Sequence, residues 1–156
     1  MICKWVIVCM VLFLSIKNHA FNLENVAMFG IGVASGTVFH ELGHAASIWV
    51  QGGQVVEFNF QSVYGEFKTN DPNVLQKQQR VSLSGYLAQS LATEFILSQS
   101  QWHNNDFAIG WMSLGIFVNL SNPIRYYVFG QKDNDLGIYE SFGGGPFIPA
   151  LMMAEH

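Results

Sequence analysis

The chain has 156 residues, of which 50% are hydrophobic and only 12% charged, with a formal net charge of −4. Ordinary soluble domains carry roughly a quarter of charged residues, so this composition points to a membrane protein or an unusually buried one. The negative balance argues against a nucleic-acid partner, which needs a basic surface, and the length fits a single domain.

Residues 1–20 read as a signal peptide or an uncleaved signal anchor, leaving 21–156 as one membrane-embedded domain. Lys4 supplies a short positive start, residues 5–16 an apolar region, and Ala20 a small residue at a candidate cleavage point. The only cysteines, Cys3 and Cys9, lie in this segment, so the rest of the chain has no disulfide framework and no cysteine metal site. Residues 25–50 form a second apolar stretch whose only charge is Glu41. It is long enough to cross a bilayer as a tilted helix. Gly32 and Gly36 within it have the GxxxG spacing that lets another helix approach closely.

Gln51-Gly52-Gly53 stops that helix. The period-two alternation that follows predicts a β-hairpin over 54–68, closed by a turn cluster at 69–73. Residues 75–80 are polar and begin a helix at the membrane surface. Residues 81–98 are a weaker apolar stretch containing Ser, Gln and Thr, so its polar side should face the protein interior. A polar loop, 99–106, leads to the apolar stretch 107–129, expected to bend or end near Asn122-Pro123 because proline breaks the helical ladder. Residues 130–137 are polar, and the glycines and prolines of 143–149 predict no regular helix before Ala150. The expected fold is mainly α: a polytopic membrane helix bundle of three core spans plus the N-terminal signal or anchor, with a small β-hairpin after the second apolar stretch.

Lys68, Lys77 and Arg80 lie between the second and third apolar stretches, and Arg125 and Lys132 follow the fourth, while 99–106 has no Lys or Arg. The positive-inside rule puts 51–80 and 125–137 on the cytoplasmic side of an inner or plasma membrane.

The chemistry is concentrated in His40-Glu41-Leu42-Gly43-His44. On a helix, residues i and i+4 share a face, so both imidazoles can reach one metal ion. Glu41, about 100° round the helix, is placed to act on a water activated by that ion. HExxH on a helix is the zinc-hydrolase signature. Catalytic zinc takes three protein ligands and keeps an open position. His103 falls in the opposite loop and His156 at the end of the sequence, Glu94 is the one acid of its helix, and Asp133 and Asp135 return to the side of the HExxH helix. Asp135 is the favoured third ligand, with Glu94 and Asp133 as alternatives. Asn119 or Asn122 is placed to bind a substrate backbone or cap the helix around Pro123, and the edge of the hairpin to pair with an extended substrate.

Several elements, in order, resemble the site-2 protease family of intramembrane zinc metallopeptidases. His40-Glu41-Leu42-Gly43-His44-Ala45 resembles the zinc-binding helix, and Gly52-Gly53-Gln54-Val55 the glycine-then-β segment. Ser84-Gly85-Tyr86-Leu87-Ala88-Gln89 resembles the glycine-led helix start. Residues 119–123 followed by Asp135-Leu136-Gly137 resemble the Asn/Pro plus Asp-Gly region that supplies the third ligand. Tyr86 stands where the family has a proline, Leu136 separates Asp135 from Gly137, and the distance from Pro123 to Asp135 is longer than usual. The resemblance spans roughly 25–140 and implies a zinc-dependent intramembrane endopeptidase. It would hold Zn2+ on His40, His44 and Asp135, use Glu41 as general base, and act on a membrane protein or peptide substrate within the lipid bilayer. Two other readings compete. One is a membrane di-iron hydroxylase, which by family resemblance needs about eight histidines where this chain has five. The other is a non-catalytic metal-binding membrane protein acting as a partner-binding or structural component.

Overall fold

The computed structural model describes residues 22–60, 62–68 and 70–145. The signal or anchor of 1–20, His156 and the tail beyond Gly145 lie outside them. Among the described residues the chain is mainly helical, with four α-helices and one two-stranded antiparallel hairpin.

The first helix, α1 (Leu23–Val50), starts at Asn22, whose side chain accepts from the Glu24 N–H at 3.1 Å. That contact satisfies one of the free donors at a helix start. The helix ends at Gln51, and Gly52 follows with a φ of 77°, a left-handed turn that costs glycine little. Strands β1 (Gln54–Phe58) and β2 (Val63–Glu66) pair with Val55 opposite Gly65 and Phe58 opposite Val63, with an irregularity between Val55 and Glu57. Asn59 closes the turn by accepting from the Ser62 N–H at 2.9 Å. The hairpin sits on the foot of α1, where Ile48 is 1% exposed and fills the space left by Gly65.

The third apolar stretch belongs to one long helix, α2 (Val74–Ser98), followed by a 3-10 turn (Ser100–Trp102). Helix α3 (Asp106–Tyr127) is capped by Asn105, whose side chain accepts from the Phe107 N–H at 2.9 Å. It runs through Pro123 instead of ending there. Proline removes only one N–H from the ladder, and the helix continues to Tyr127. A short helix not expected from the sequence, α4 (Asp135–Ser141), begins at Asn134, whose side chain accepts from the Gly137 N–H at 3.0 Å.

Helix α1 packs on both α3 and α2. Its contact with α3 is made by small residues. A Cβ on Gly32 would collide with the Phe107 carbonyl, and one on Gly110 with the Phe29 carbonyl. Beside this crossing, Ile96, Ala108 and Trp111 form a small apolar core, and the Trp111 indole donates to Thr93 Oγ1 at 3.3 Å. Helix α2 buries Ser82, Gln89 and Thr93 along with Val81, Tyr86 and Ile96, whereas Leu87, Leu91 and Phe95 are exposed. Of the three expected spans, α1 and α3 are long and apolar enough to cross a membrane, and α2 is not.

Candidate metal centre

His40 and His44, one turn apart on α1, are both buried and turn their Nε2 atoms towards each other at 3.2 Å. The Asp135 carboxylate, at the start of α4, meets them from 95 residues away in sequence. Its Oδ2 is 3.3 Å from His40 Nε2 and its Oδ1 3.7 Å from His44 Nε2. One ligand atom from each of the three residues lies within 4.8 Å of the others, so this group can hold a metal ion.

The far side of each imidazole fixes its orientation. His44 Nδ1 donates to the Val81 carbonyl at 2.6 Å, and His40 Nδ1 donates to Gln89 Oε1 at 3.2 Å. A neutral imidazole has one N–H, and both are used on the Nδ1 side, which leaves both Nε2 lone pairs facing a carboxylate. Such a convergence is satisfied by a proton on one ring or by a cation shared among all three. The donor set suits zinc, and ligating histidines usually donate their other N–H to a carbonyl or carboxylate in this way. The spacing suits it too. Neighbouring ligand atoms around a tetrahedral zinc, each at roughly 2.0–2.1 Å, stand roughly 3.3 Å apart.

Two glycines permit this closeness. A Cβ on Gly43 would lie 2.6 Å from the Ser84 carbonyl oxygen, so a side chain there would push α2 away from α1. A Cβ on Gly85 would lie 2.5 Å from His44 Nε2 and 2.6 Å from His40 Nε2. Gly85 thus leaves open the space in front of the two ring nitrogens.

The cluster faces a cavity of about 590 Å³ bounded by β2, the first turns of α2, the end of α3 and α4. Glu41 lies on its wall, 7% exposed, and its carboxylate accepts no hydrogen bond from another described residue. Asn122 lines the same cavity, while Asn119 is buried elsewhere on α3.

The alternative ligands are not at the cluster. Glu94 is exposed on α2. Asp133 is at the cavity rim, exposed, and paired with the Arg125 guanidinium at 3.1 Å. His103 is exposed beyond α2 and bonded to the Leu97 carbonyl at 2.7 Å. Sequence reasoning does not identify Gln89, Tyr86 or Asn134 as supports of the site. The available signal is spacing: Gly85 and Gln89 are four apart and share one helix face.

No protein-family model, no curated protein and no solved structure matches this chain.

Proposed function

We propose that the chain is a zinc-dependent intramembrane endopeptidase of the site-2 protease-like type, hydrolysing peptide bonds of a membrane-associated substrate. The observation that carries this reading is the set of ligand-to-ligand distances, 3.2, 3.3 and 3.7 Å, at a buried cluster with Glu41 beside it. A purely structural ion needs no free carboxylate next to it, whereas hydrolysis needs a base.

Zinc, when bound, supplies Lewis acidity towards a scissile carbonyl and a water. His40, His44 and Asp135 would hold it. Glu41 withdraws the proton from the attacking water and delivers it to the leaving amine. Gln89 and the Val81 carbonyl keep the imidazoles from turning as charge develops. The outer edge of β2, whose Val63, Tyr64 and Gly65 line the cavity, offers main-chain groups to an extended substrate.

The membrane setting is supported by burial. Only 22% of the most apolar window of α1 and 33% of that of α3 is buried, whereas a soluble core helix is mostly buried. The buried Ser82, Gln89 and Thr93 and the exposed Leu87, Leu91 and Phe95 of α2 extend the argument to a third span, since a membrane helix turns polar groups inward. The distribution of Lys and Arg orients the site towards the cytoplasmic face of an inner or plasma membrane.

The test uses full-length protein purified in detergent, assayed for bound zinc and for cleavage of a membrane-tethered reporter. Glu41→Gln is expected to keep zinc and lose cleavage by about 10²–10⁴-fold, the usual contribution of a general base. Full cleavage by Glu41→Gln overturns the mechanism, and a wild-type protein that binds no zinc overturns the metal centre.

A further inference from the structure

The residue standing where the resembling family has a proline is buried against the metal cluster. Tyr86 is 3% exposed, and its ring meets the His40 ring edge-on, with centroids 5.0 Å apart and an interplanar angle of 83°. Asn122 on α3 donates its side-chain N–H to the Tyr86 hydroxyl oxygen. An amide N–H occupying the oxygen leaves the hydroxyl proton to find its own acceptor, and a buried hydroxyl proton is rarely left without one. Asp135, whose Oδ2 is 3.3 Å from the Nε2 of the His40 ring that Tyr86 packs on, is the acceptor the geometry offers.

Asn122 is itself held. Its main-chain oxygen accepts from the Asn134 side chain at 3.3 Å, and Asn134 is the cap from which α4 and Asp135 begin. Asn134 and Asn122 therefore link the start of α4, where Asp135 sits, to the Tyr86 hydroxyl.

We infer that Tyr86 is a positioning residue for the metal, its hydroxyl donating to the Asp135 carboxylate and fixing, with Asn122, the angle at which that carboxylate meets the ion. This rests on the metal-centre reading above. A carboxylate that gives one oxygen to a cation leaves lone pairs unsatisfied on the other, and an outer donor both satisfies them and stops the group from rotating. His40 has such a partner in Gln89 and His44 in the Val81 carbonyl. Tyr86 completes the set for the third ligand.

The experiment needs no substrate. Full-length wild type, Tyr86→Phe, Asn122→Ala and the double variant are purified metal-free in detergent. Zn2+ affinity is read by competition with a chromophoric chelator, and the ligand field by the visible spectrum of the Co2+ form. Tyr86→Phe keeps the ring against His40 and is expected to weaken Zn2+ binding about 10- to 100-fold, the usual cost of losing an outer-shell partner, and to shift the Co2+ bands. Asn122→Ala is expected to weaken binding several-fold on its own and to have no further effect when Tyr86→Phe is already present, because it acts through the hydroxyl. Thermal unfolding of the metal-free proteins is expected to be alike for wild type and Tyr86→Phe. The inference is overturned if Tyr86→Phe binds Zn2+ within about twofold of wild type with an unchanged Co2+ spectrum, or if Asn122→Ala costs as much in the double variant as it does alone. If metal-free Tyr86→Phe unfolds early and its lost affinity tracks that instability, the role is structural and the inference fails. A wild type that binds neither metal overturns the metal centre instead.

Discussion

At its Gly32 end α1 meets α3 backbone against backbone, with the Phe107 carbonyl where a side chain would be. At its His40 end the same helix meets α2 across imidazoles, an amide and a main-chain carbonyl. Both contacts depend on missing side chains, Gly32 and Gly110 in one and Gly43 and Gly85 in the other. The use of the space differs. In the first, the partner helix fills it, and the outcome is packing. In the second, the two Nε2 atoms and Asp135 face it, and the outcome is a site.

The largest effect expected from breaking this comparison is at Gly85. Gly85→Ala puts a methyl group 2.5 and 2.6 Å from the two ring nitrogens, contacts that force the rings or the helix to move. Zinc affinity should fall more than about 100-fold, read by chelator competition, which exceeds the roughly 10- to 100-fold of an outer-shell loss because the ligands themselves are displaced. Gly32→Ala should do the reverse. Its methyl group meets the rigid Phe107 carbonyl, so the folded state should lose about 1–3 kcal/mol by overpacking, read as an earlier thermal transition, while the molecules that stay folded bind zinc normally. A normal melting temperature in Gly32→Ala would show that the crossing is looser than the glycine contacts imply.

Gln89→Leu sharpens the polar end. It removes the acceptor of the His40 Nδ1–H at 3.2 Å but keeps most of the volume, so zinc affinity should drop about tenfold with little change in unfolding.

The smallest effect lies at the foot of α1. Lys77 donates to the Gln51 carbonyl at 2.6 Å, and to Asp71 Oδ2 at the same distance, with its ammonium 5.3 Å above the Phe67 ring. The hydrogen bond from Lys77 holds the Asp71 carboxyl below the ordinary aspartate range. A depressed folded value means that the unfolded chain takes up the proton first. The contribution to stability is therefore complete above the ordinary aspartate value of about 3.9 and is lost as pH falls through the lower folded value. Asp71→Asn should flatten the acid limb of the unfolding curve below about pH 5, the flattening arising from a small loss of stability at neutral pH, where the wild-type pair is intact. An unaltered acid limb would show that Asp71 is not held by Lys77 in solution.

The parts of this molecule legible in the sequence are those governed by local period. The spacing of His40 and His44 places two imidazoles on one helix face whatever surrounds them. Alternation after Gly53 marks the hairpin, and the Ser, Gln and Thr of 81–98 mark the face of α2 that turns inward. Of the two outcomes expected at Pro123, an end is not what occurs, because one lost N–H does not stop a helix supported by its neighbours. Helix α4 escapes a periodicity reading because its 7 residues are too few for a period to register, although Asn134 followed by Asp135 is an N-terminal cap signal.

Sequence alone determined the paired imidazoles, the adjacent glutamate and the apolar helix that carries them, because i and i+4 neighbours are fixed by helix geometry. It narrowed the third donor to a few acids. Tertiary structure decided among them, by turning Glu94 outward, pairing Asp133 with Arg125 and capping α4 so that Asp135 meets the rings. It also decided the neighbours of these side chains, since Tyr86, Gln89 and Asn134 acquire their partners only when helices distant in sequence pack together.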